Sequence, residues 1–302
     1  MDNRKKRSLD FLVIGAQKSG TTSLHMYLRR HPAIYTPPEK EAPFFSDDKR
    51  YSAGLDKYLM DFYSQAPRDR LWGKVCTYYM CDSRVPARIN KYFEKIKLIA
   101  ILRNPIDRAY SHYMMSKKRG LETLSFDRAI EQLLNEELLR NTREAPYDYR
   151  REKFCYITWG EYGRILDRYA KYFPKDQMLL LFSDDLMNRP EDVLDSILSF
   201  LGLDKGWRPH NLSKRYHVGG TSYLYPRAYR FLTKSVLLKL MPGRLRRRTL
   251  FWTEIFMTSP DKSREISQET RAQLREHYKP DIRLLEEILG KSVPWTEFHT
   301  DS

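Results

Sequence analysis

Three short runs of apolar residues stand out along the chain, at 11–15 (FLVIG), 98–102 (LIAIL) and 178–182 (MLLLF). Each run is continuous and does not alternate with polar residues, which is typical of parallel strands covered by helices on both faces. The pattern therefore predicts three buried strands at the centre of the fold.

The segments between these runs place apolar residues at the spacing of amphipathic helices. Proline at the start and glycine at the end support the boundaries of one of them, which runs from Pro190 to just before Gly202. Strands that alternate with helices predict an α/β fold, a three-layer sandwich with a central parallel sheet. We expect one domain over residues 8–299, preceded by a basic tail at 1–7. The predicted helices are 22–31, 105–118, 125–140, 160–172, 190–201 and 270–289.

The composition of the chain indicates a folded protein with an anionic partner. The chain has 302 residues, of which 41% are hydrophobic, so it can bury a full core and global disorder is excluded. Its 54 Lys+Arg against 39 Asp+Glu give a formal net charge of +15. Such a charge predicts an anionic partner: nucleic acid, a membrane surface, a polyanionic glycan or a phosphorylated cofactor.

The cysteines and the hydropathy of the chain indicate the cellular compartment. Cys76, Cys81 and Cys155 cannot form a disulfide framework and do not lie at zinc-ligand spacing, so we expect buried, reduced thiols. The chain has no apolar run of about 18 residues that would predict a transmembrane helix, and its first residues lack the features of a signal peptide. These observations predict a cytoplasmic protein.

A glycine-containing loop follows the first predicted strand. Residues 15–22 read Gly-Ala-Gln-Lys-Ser-Gly-Thr-Thr, the spacing of a P-loop, except that Lys18 lies inside the loop and Thr21 stands where lysine usually follows the second glycine. Gly15 and Gly20 let backbone N–H groups and the helix N-terminus face an anion. An ordinary strand-to-helix turn is the alternative, but the added lysine and threonines favour anion binding.

The second predicted strand ends in a cation. A nucleoside-triphosphate enzyme needs an acidic residue after a second strand to help hold Mg²⁺, and Arg103 stands there instead. Asp107 lies further on, where N-capping of the next helix explains it. The arrangement favours a second phosphate site over a magnesium-dependent triphosphate site.

At these residues the chain resembles the sulfotransferases that use 3′-phosphoadenosine 5′-phosphosulfate (PAPS), in particular the branch of heparan sulfate sulfotransferases and their bacterial relatives. GAQKSGTTSL is similar to the family's 5′-phosphosulfate loop, and LRNPIDRAYSHY (102–113) to its 3′-phosphate motif. The resemblance implies a P-loop NTPase-like sulfotransferase fold and binding of PAPS and of its product 3′-phosphoadenosine 5′-phosphate (PAP). It implies donor-binding roles for Gly15, Gln17, Lys18, Ser19, Gly20, Thr21 and Thr22, and for Arg103 and Ser111 at the 3′-phosphate.

The resemblance also suggests an acceptor side. The family's general base is a Glu separated by two residues from a Phe-Phe pair, and Glu41 matches this position. Pairing of Glu41 with Lys40 on the surface is the simpler interpretation, but the position in the motif favours catalysis. His112 and His25 are rival bases. The resemblance further implies acceptor contacts, which we assign to Lys74, Phe44 and Tyr78.

Two basic regions near the C-terminal part remain. Lys214 and Arg215 resemble the family's late loop over the 3′-phosphate, although an exposed basic loop explains them equally well. Residues 223–252 mix aromatic, aliphatic and basic side chains, which predicts a helical cover on the core; a lip for an anionic glycan and a weak peripheral contact to a membrane surface are the alternatives.

The resulting hypothesis is a PAPS-dependent sulfotransferase. Lysine and backbone N–H groups can neutralise the leaving bisphosphate, so no metal is required. We expect the acceptor to be a hydroxyl, or less readily an amine, on a glycan or glycolipid. A small secondary metabolite, a P-loop kinase with an altered loop and a basic nucleic-acid-binding protein are the alternatives, and the last has no recognition motif in the sequence.

Overall fold

Five parallel strands form the centre of the fold. The computed structural model describes residues 8–210, 212, 221–223, 258–260 and 266–299. The strands follow the order β2–β3–β1–β4–β5 across the sheet. Their bounds are β1 Phe11–Gly15, β2 Ile34–Tyr35, β3 Leu71–Val75, β4 Lys97–Leu102 and β5 Met178–Phe182.

Helices cover both faces of this sheet. The predicted three-layer α/β class is therefore confirmed. The helices are α1 Thr21–Leu28, α2 Asp48–Ala53, α3 Leu55–Tyr63, α4 Tyr78–Cys81, α5 Val85–Tyr92, α6 Pro105–Lys118, α7 Phe126–Leu133, α8 Glu136–Glu144, α9 Tyr162–Ala170, α10 Ser183–Asn188, α11 Pro190–Leu201 and α12 Gln268–Leu289.

The continuous apolar runs reflect burial on both faces. Along β1, Leu12 and Ile14 belong to one hydrophobic cluster, whereas Phe11 and Val13 belong to the cluster on the opposite face. All four side chains are at most 1% exposed. A strand between two helical layers cannot place polar residues on either face, which is why β1 does not alternate.

Several predicted boundaries are confirmed to the residue, at β1, β5, α6 and α11. The helix predicted over 125–140 is instead two helices, α7 and α8. The helix is interrupted between them because the side chain of Asn135 accepts hydrogen bonds from the N–H groups of Glu137 and Leu138 and so starts a new helix. The prediction missed β2, β3, helices α2 to α5 and helix α10.

The C-terminal helix α12 anchors the start of α9. The Asp281 carboxylate accepts hydrogen bonds from the N–H groups of Gly163 (2.9 Å) and Arg164 (2.8 Å), and so caps α9 from 118 residues away. The two helices touch at Gly163, where an added Cβ would come within 2.2 Å of the Asp281 carbonyl oxygen. Glycine is required there by packing.

Some predicted features lie outside the described residues, namely Lys214, Arg215 and nearly all of 223–252. Two short strands flank part of this region, β6 Thr221–Tyr223 and β7 Thr258–Pro260, and they pair antiparallel. Within the described part of the chain, no helix has the length and apolar character needed to cross a membrane. The domain limits at residues 8 and 299 stay a prediction.

Candidate active site

The loop between β1 and α1 (residues 15–22, here the anion loop) lies at the carboxyl edge of the sheet. The N–H of Ala16 donates to the carbonyl of Ile101 in β4 (2.8 Å), which places the loop beside the end of that strand. Gly20 adopts a φ of 91° as it leads into α1, a conformation that favours glycine. At Gly15 an added Cβ would lie 2.6 Å from the Met80 sulfur, so packing also demands glycine there.

Lys18 is surrounded by positive charge. Burial lowers its pKa to about 8, and the charges of Arg119, Arg103, Lys118 and Arg108 lower it in the same direction. The four charged side chains that shift the pKa of Lys18 are thus all cations. A converging set of cations at the start of a helix provides a binding site for an anion with more than one negative charge.

The remaining polar side chains of the anion loop are mostly enclosed. Gln17, Ser19 and Thr21 are at most 7% exposed, while Thr22 is partly exposed. The buried hydroxyl of Tyr162 lies between Ser19 and the backbone of Arg103. Tyr162 thus joins the anion loop to the turn after β4.

Arg103 and the first turn of α6 form the second half of this edge. The Arg103 guanidinium donates to the carbonyl oxygen of Lys18 (3.2 Å). Asn104 caps α6 through its side-chain oxygen, so the predicted capping role of Asp107 is wrong: Asp107 lies in the first helical turn and pairs with Arg271 (3.1 Å). Ser111 lies further along α6 and is half-buried.

A chain of polar contacts from the C-terminal part braces this turn. Arg271 of α12 pairs with Glu297 (2.8 Å) as well as with Asp107. Glu297 in turn accepts a hydrogen bond from the side-chain amide of Asn104. The turn that carries Arg103 is therefore fixed from residues that lie far away in sequence.

Glu41 lies at the same carboxyl edge, in a group with Lys40 and Thr77 (the Glu41 cluster). Its carboxylate accepts hydrogen bonds from the Thr77 N–H (2.9 Å) and the Thr77 hydroxyl (3.1 Å), and Lys40 pairs with it. The ion pair of the simpler interpretation is thus present. The Glu41 side chain is also 28% exposed, so solvent and small molecules reach it.

Lys74 lies on β3, opposite Leu12 of β1, and is only 1% exposed. Its ammonium group donates to the carbonyl oxygen of Glu39, two residues before Glu41. Burial lowers its pKa to about 8, and the nearby Glu41 opposes this shift. The structure therefore places Lys74 beneath the segment that carries Glu41.

The two rival histidines are core residues. His25 is 3% exposed and its Nε2 lies 3.1 Å from the Pro37 carbonyl, and burial lowers its pKa to about 3. His112 is fully buried, stacks on Trp159, and has its pKa lowered by burial and by Arg108. Neither side chain is open to an acceptor from solvent.

Two tyrosines connect the Glu41 cluster with the surroundings of Lys18. The rings of Tyr78 and Tyr147 stack with centroids 3.8 Å apart. Burial raises the pKa of Tyr78 to about 12, and the charges of Glu41, Glu152 and Arg119 also act on it. Tyr78 therefore lies within the fields of both parts of the site.

Phe44 does not reach the site. It is 0% exposed and packs among the rings of Phe45, Tyr51, Tyr58 and Tyr92. Because the Phe-Phe pair fills the core, it anchors the segment that carries Glu41. It does not contact an acceptor in this structure.

Sequence reasoning missed Glu152 and Arg119. Glu152 lies in a 3₁₀ helix, Tyr149–Phe154, and its buried carboxylate pairs with Arg119 at the end of α6 (2.7 Å). The contact spans 33 residues, and nothing in the local sequence marks either residue. Asn104, by contrast, had a readable signal because asparagine directly before a proline is a typical helix start.

Cysteines and metal ligands complete the description. Cys76, Cys81 and Cys155 are free and buried, as predicted, and burial raises the pKa of each thiol. Among the residues that the structure describes, no group of His, Cys, Asp and Glu has the geometry to hold a metal ion.

Known proteins with similar sequences and folds identify the class. The family model for the sulfotransferase domain matches residues 8–217, so the chain belongs to the sulfotransferase domain family, and the predicted family and enzyme class are confirmed. Among solved structures, a sulfotransferase from Alicyclobacillus acidocaldarius superimposes with a TM-score of 0.68 at 23% identity, covering 98% of this chain and 100% of that one. This likeness shows a shared fold.

The relatives are large proteins of which this chain matches one part. It is 32% identical over 201 residues to the bifunctional heparan sulfate N-deacetylase/N-sulfotransferase 2 of Homo sapiens, and 33% identical over 201 residues to the type 3 protein of Mus musculus. Each alignment covers 64% of this chain and 22% of the relative. The chain therefore spans about a fifth of the length of the relatives it matches.

Proposed function

We propose that this protein transfers a sulfuryl group from PAPS to an acceptor on a glycan, with Glu41 as the general base. The observation that carries the proposal is the set of cations around Lys18, in which Arg119, Arg103, Lys118 and Arg108 all lower the lysine pKa. A cluster of this charge favours an anionic ligand, even though Arg119 is already paired with Glu152. Family membership makes a bisphosphorylated sulfate donor the anion of choice.

The residues at the carboxyl edge fit such a donor. The anion loop and α1 present backbone N–H groups and the Lys18 ammonium to its 5′ side. Arg103 and Ser111, on the neighbouring turn and helix, are assigned to its 3′-phosphate. PAPS supplies a sulfuryl group on a phosphosulfate anhydride, and this chain contributes the charges that hold both phosphates.

Lys18 has the position and the protonation state for charge stabilisation. With a pKa of about 8, its ammonium is charged at neutral pH and lies where negative charge develops as the leaving phosphate departs. Because the lysine is already held among fixed cations, little reorganisation is needed during transfer.

Glu41 is placed to accept the proton of the acceptor. Thr77 holds the carboxylate through two hydrogen bonds, so its orientation is fixed by the end of β3. The Glu41 side chain is 28% exposed, so an acceptor approaching from solvent can compete with Lys40 for the carboxylate. A positioned carboxylate that removes a proton as the acceptor attacks sulfur contributes about 10²–10⁴-fold in rate.

Thermal shift with PAP tests the donor site. In EDTA, we expect PAP to stabilise the protein and AMP to do so weakly, and we expect Arg103→Ala to abolish most of the PAP effect. No shift with PAP, or a preference for ATP with magnesium, would contradict the proposal and favour a kinase with an altered loop. Salt-sensitive binding to DNA without any PAP effect would favour the nucleic-acid alternative.

The acceptor atom is a second question, because the names of the relatives specify N-sulfotransferases. Both an amine and a hydroxyl must lose a proton on attack, so Glu41 serves either. A matched pair of glycans separates them: one polymer with free glucosamine amines, and the same polymer N-acetylated. Transfer of labelled sulfate to the first alone identifies an amine acceptor, and equal transfer to both identifies a hydroxyl.

A further inference from the structure

Glu152 is a completely buried acid close to the anion loop, and the reaction outlined above does not use it. Its side chain is 0% exposed. The carboxylate accepts hydrogen bonds from the Arg119 guanidinium (2.7 Å) and the Tyr147 hydroxyl (3.0 Å). A buried carboxylate persists only when it is paired and hydrogen-bonded, so these contacts keep it in place.

Glu152 and its partner Arg119 each interact with a residue of the anion loop. Gln17, next to Lys18, contacts the carboxylate of Glu152 and helps to lower its pKa, although burial raises that pKa overall. Arg119 is the first among the charged neighbours that lower the pKa of Lys18, ahead of Arg103, Lys118 and Arg108. Glu152 thus binds one residue of the loop and the main cation that faces it.

The contact with Glu152 helps to fix the position of Arg119. It is the residue at which α6 ends, and its side chain is 38% exposed, so the helix alone does not confine the guanidinium. Glu152 lies in a different element, the 3₁₀ helix Tyr149–Phe154, and holds the guanidinium from the buried side.

We infer that Glu152 is a positioning residue for the donor site: by binding Arg119 and Gln17, it keeps the Arg119 charge directed at the anion loop. This inference rests on the proposed function, because it assumes that the loop binds the donor. The alternative is an ion pair that only joins the 3₁₀ helix to α6. The two differ in whether the ionisation of Lys18 depends on Glu152.

The test follows the affinity for PAP by calorimetry from about pH 6.5 to about pH 9.5. In the unaltered protein, affinity should begin to fall near pH 8, where Lys18 starts to lose its proton. Lys18→Arg should remove this dependence, because arginine stays charged over the whole range. That variant shows whether the fall in PAP affinity is caused by deprotonation of Lys18.

Glu152→Gln keeps the side-chain shape and still accepts from Tyr147, but its amide binds Arg119 far more weakly than a carboxylate. We expect the onset to move to higher pH by roughly half a unit, because Arg119, the charge that lowers the pKa of Lys18 most, moves away, and this outweighs the loss of the Glu152 charge. Arg119→Gln should produce the same shift, and the double variant no further shift. Glu152→Asp, which keeps the charge but shortens the reach, should shift the onset in the same direction.

A matched control is another buried acid. Glu161 is 3% exposed and is held by Arg143, Arg164 and His277. Glu161→Gln should lower the melting temperature and leave the onset unchanged.

Three results would overturn the inference: an unchanged onset in Glu152→Gln, a shift to lower pH, or additive shifts in the double variant. Absence of PAP binding in the unaltered protein would instead overturn the proposed function. If Glu152→Gln does not fold, Glu152→Asp with Arg119→Gln gives the same comparison.

Discussion

The anion loop and the Glu41 cluster lie at the same edge of the sheet, but their charges are balanced in opposite ways. Around Lys18, the charged neighbours that shift its pKa are four cations. Around Glu41, Lys40 and Thr77 already satisfy the carboxylate. The first region concentrates positive charge around one lysine, whereas the second holds one acid in a fixed orientation.

This difference means that substitutions should separate binding from turnover. Changes in the anion loop should affect donor affinity and rate together, whereas changes in the Glu41 cluster should affect rate alone. The following predictions test that separation, from the largest expected effect to the smallest.

Lys18→Ala should cause the largest loss. Removing the ammonium takes away charge stabilisation of both the bound donor and the leaving phosphate, so we expect kcat/KM to fall by about 10³-fold or more. Steady-state sulfate transfer measures it, with Lys49→Ala, an exposed lysine of α2, as the control. A higher KM for the donor with normal kcat would show that Lys18 binds the donor without specifically stabilising the transition state.

Glu41→Gln should lower kcat by about 10²-fold and leave PAP affinity within about twofold. The amide retains the shape and its oxygen can still accept from Thr77, but it cannot take a proton. Glu39→Gln is a suitable control because its exposed side chain lies two residues away and the substitution keeps the carbonyl that Lys74 binds. Near-normal turnover in Glu41→Gln would remove Glu41 from the mechanism.

Arg103→Ala should weaken PAP binding by about 10- to 100-fold, since a charge-assisted contact to phosphate is lost. Binding of AMP, which lacks the 3′-phosphate, should change much less. Calorimetry with both ligands measures the difference. Equal losses for PAP and AMP would mean that Arg103 acts on the anion loop through its hydrogen bond to Lys18.

Tyr78→Phe should have the smallest effect. The variant keeps the ring stacked on Tyr147 and removes only a hydroxyl, so we expect a change of about two- to fivefold in acceptor KM and none in PAP affinity. Because the charges of Glu41 and Arg119 both act on Tyr78, a change in PAP affinity would show that the two regions are coupled.

The parts predicted well are those with strong local signals. A continuous apolar run followed by a glycine loop determined β1 and the anion loop. Similarly, Pro105 and Pro190 marked the starts of α6 and α11. In such segments the local preference and the final packing agree.

The segment that supports Glu41 was harder to predict. β3, Leu71–Val75, contains Gly73 and Lys74, which are unfavourable in a central strand by propensity. Gly73 is needed because an added Cβ would lie 2.0 Å from the Phe11 ring. Lys74 is tolerated because its ammonium group donates a hydrogen bond to the Glu39 carbonyl oxygen. Both reasons come from tertiary contacts that a linear pattern does not contain.

Long-range contacts also explain why Glu152, Arg119 and the brace on the Arg103 turn were missed. The carboxylate of Glu297 binds Asn104 across 193 residues. No periodicity or motif links residues at such separations, so only the folded structure shows them.

That brace has a consequence for the order of events during synthesis. A ribosome adds residues in sequence, and domains form progressively as the chain emerges. β1, the anion loop, β4 and Arg103 are made well before Arg271 and Glu297, which lie 164 and 193 residues beyond their partners Asp107 and Asn104. A nascent chain can thus pair β1 with β4 early, while the turn that carries Arg103 becomes rigid only after Arg271 and Glu297 have been made.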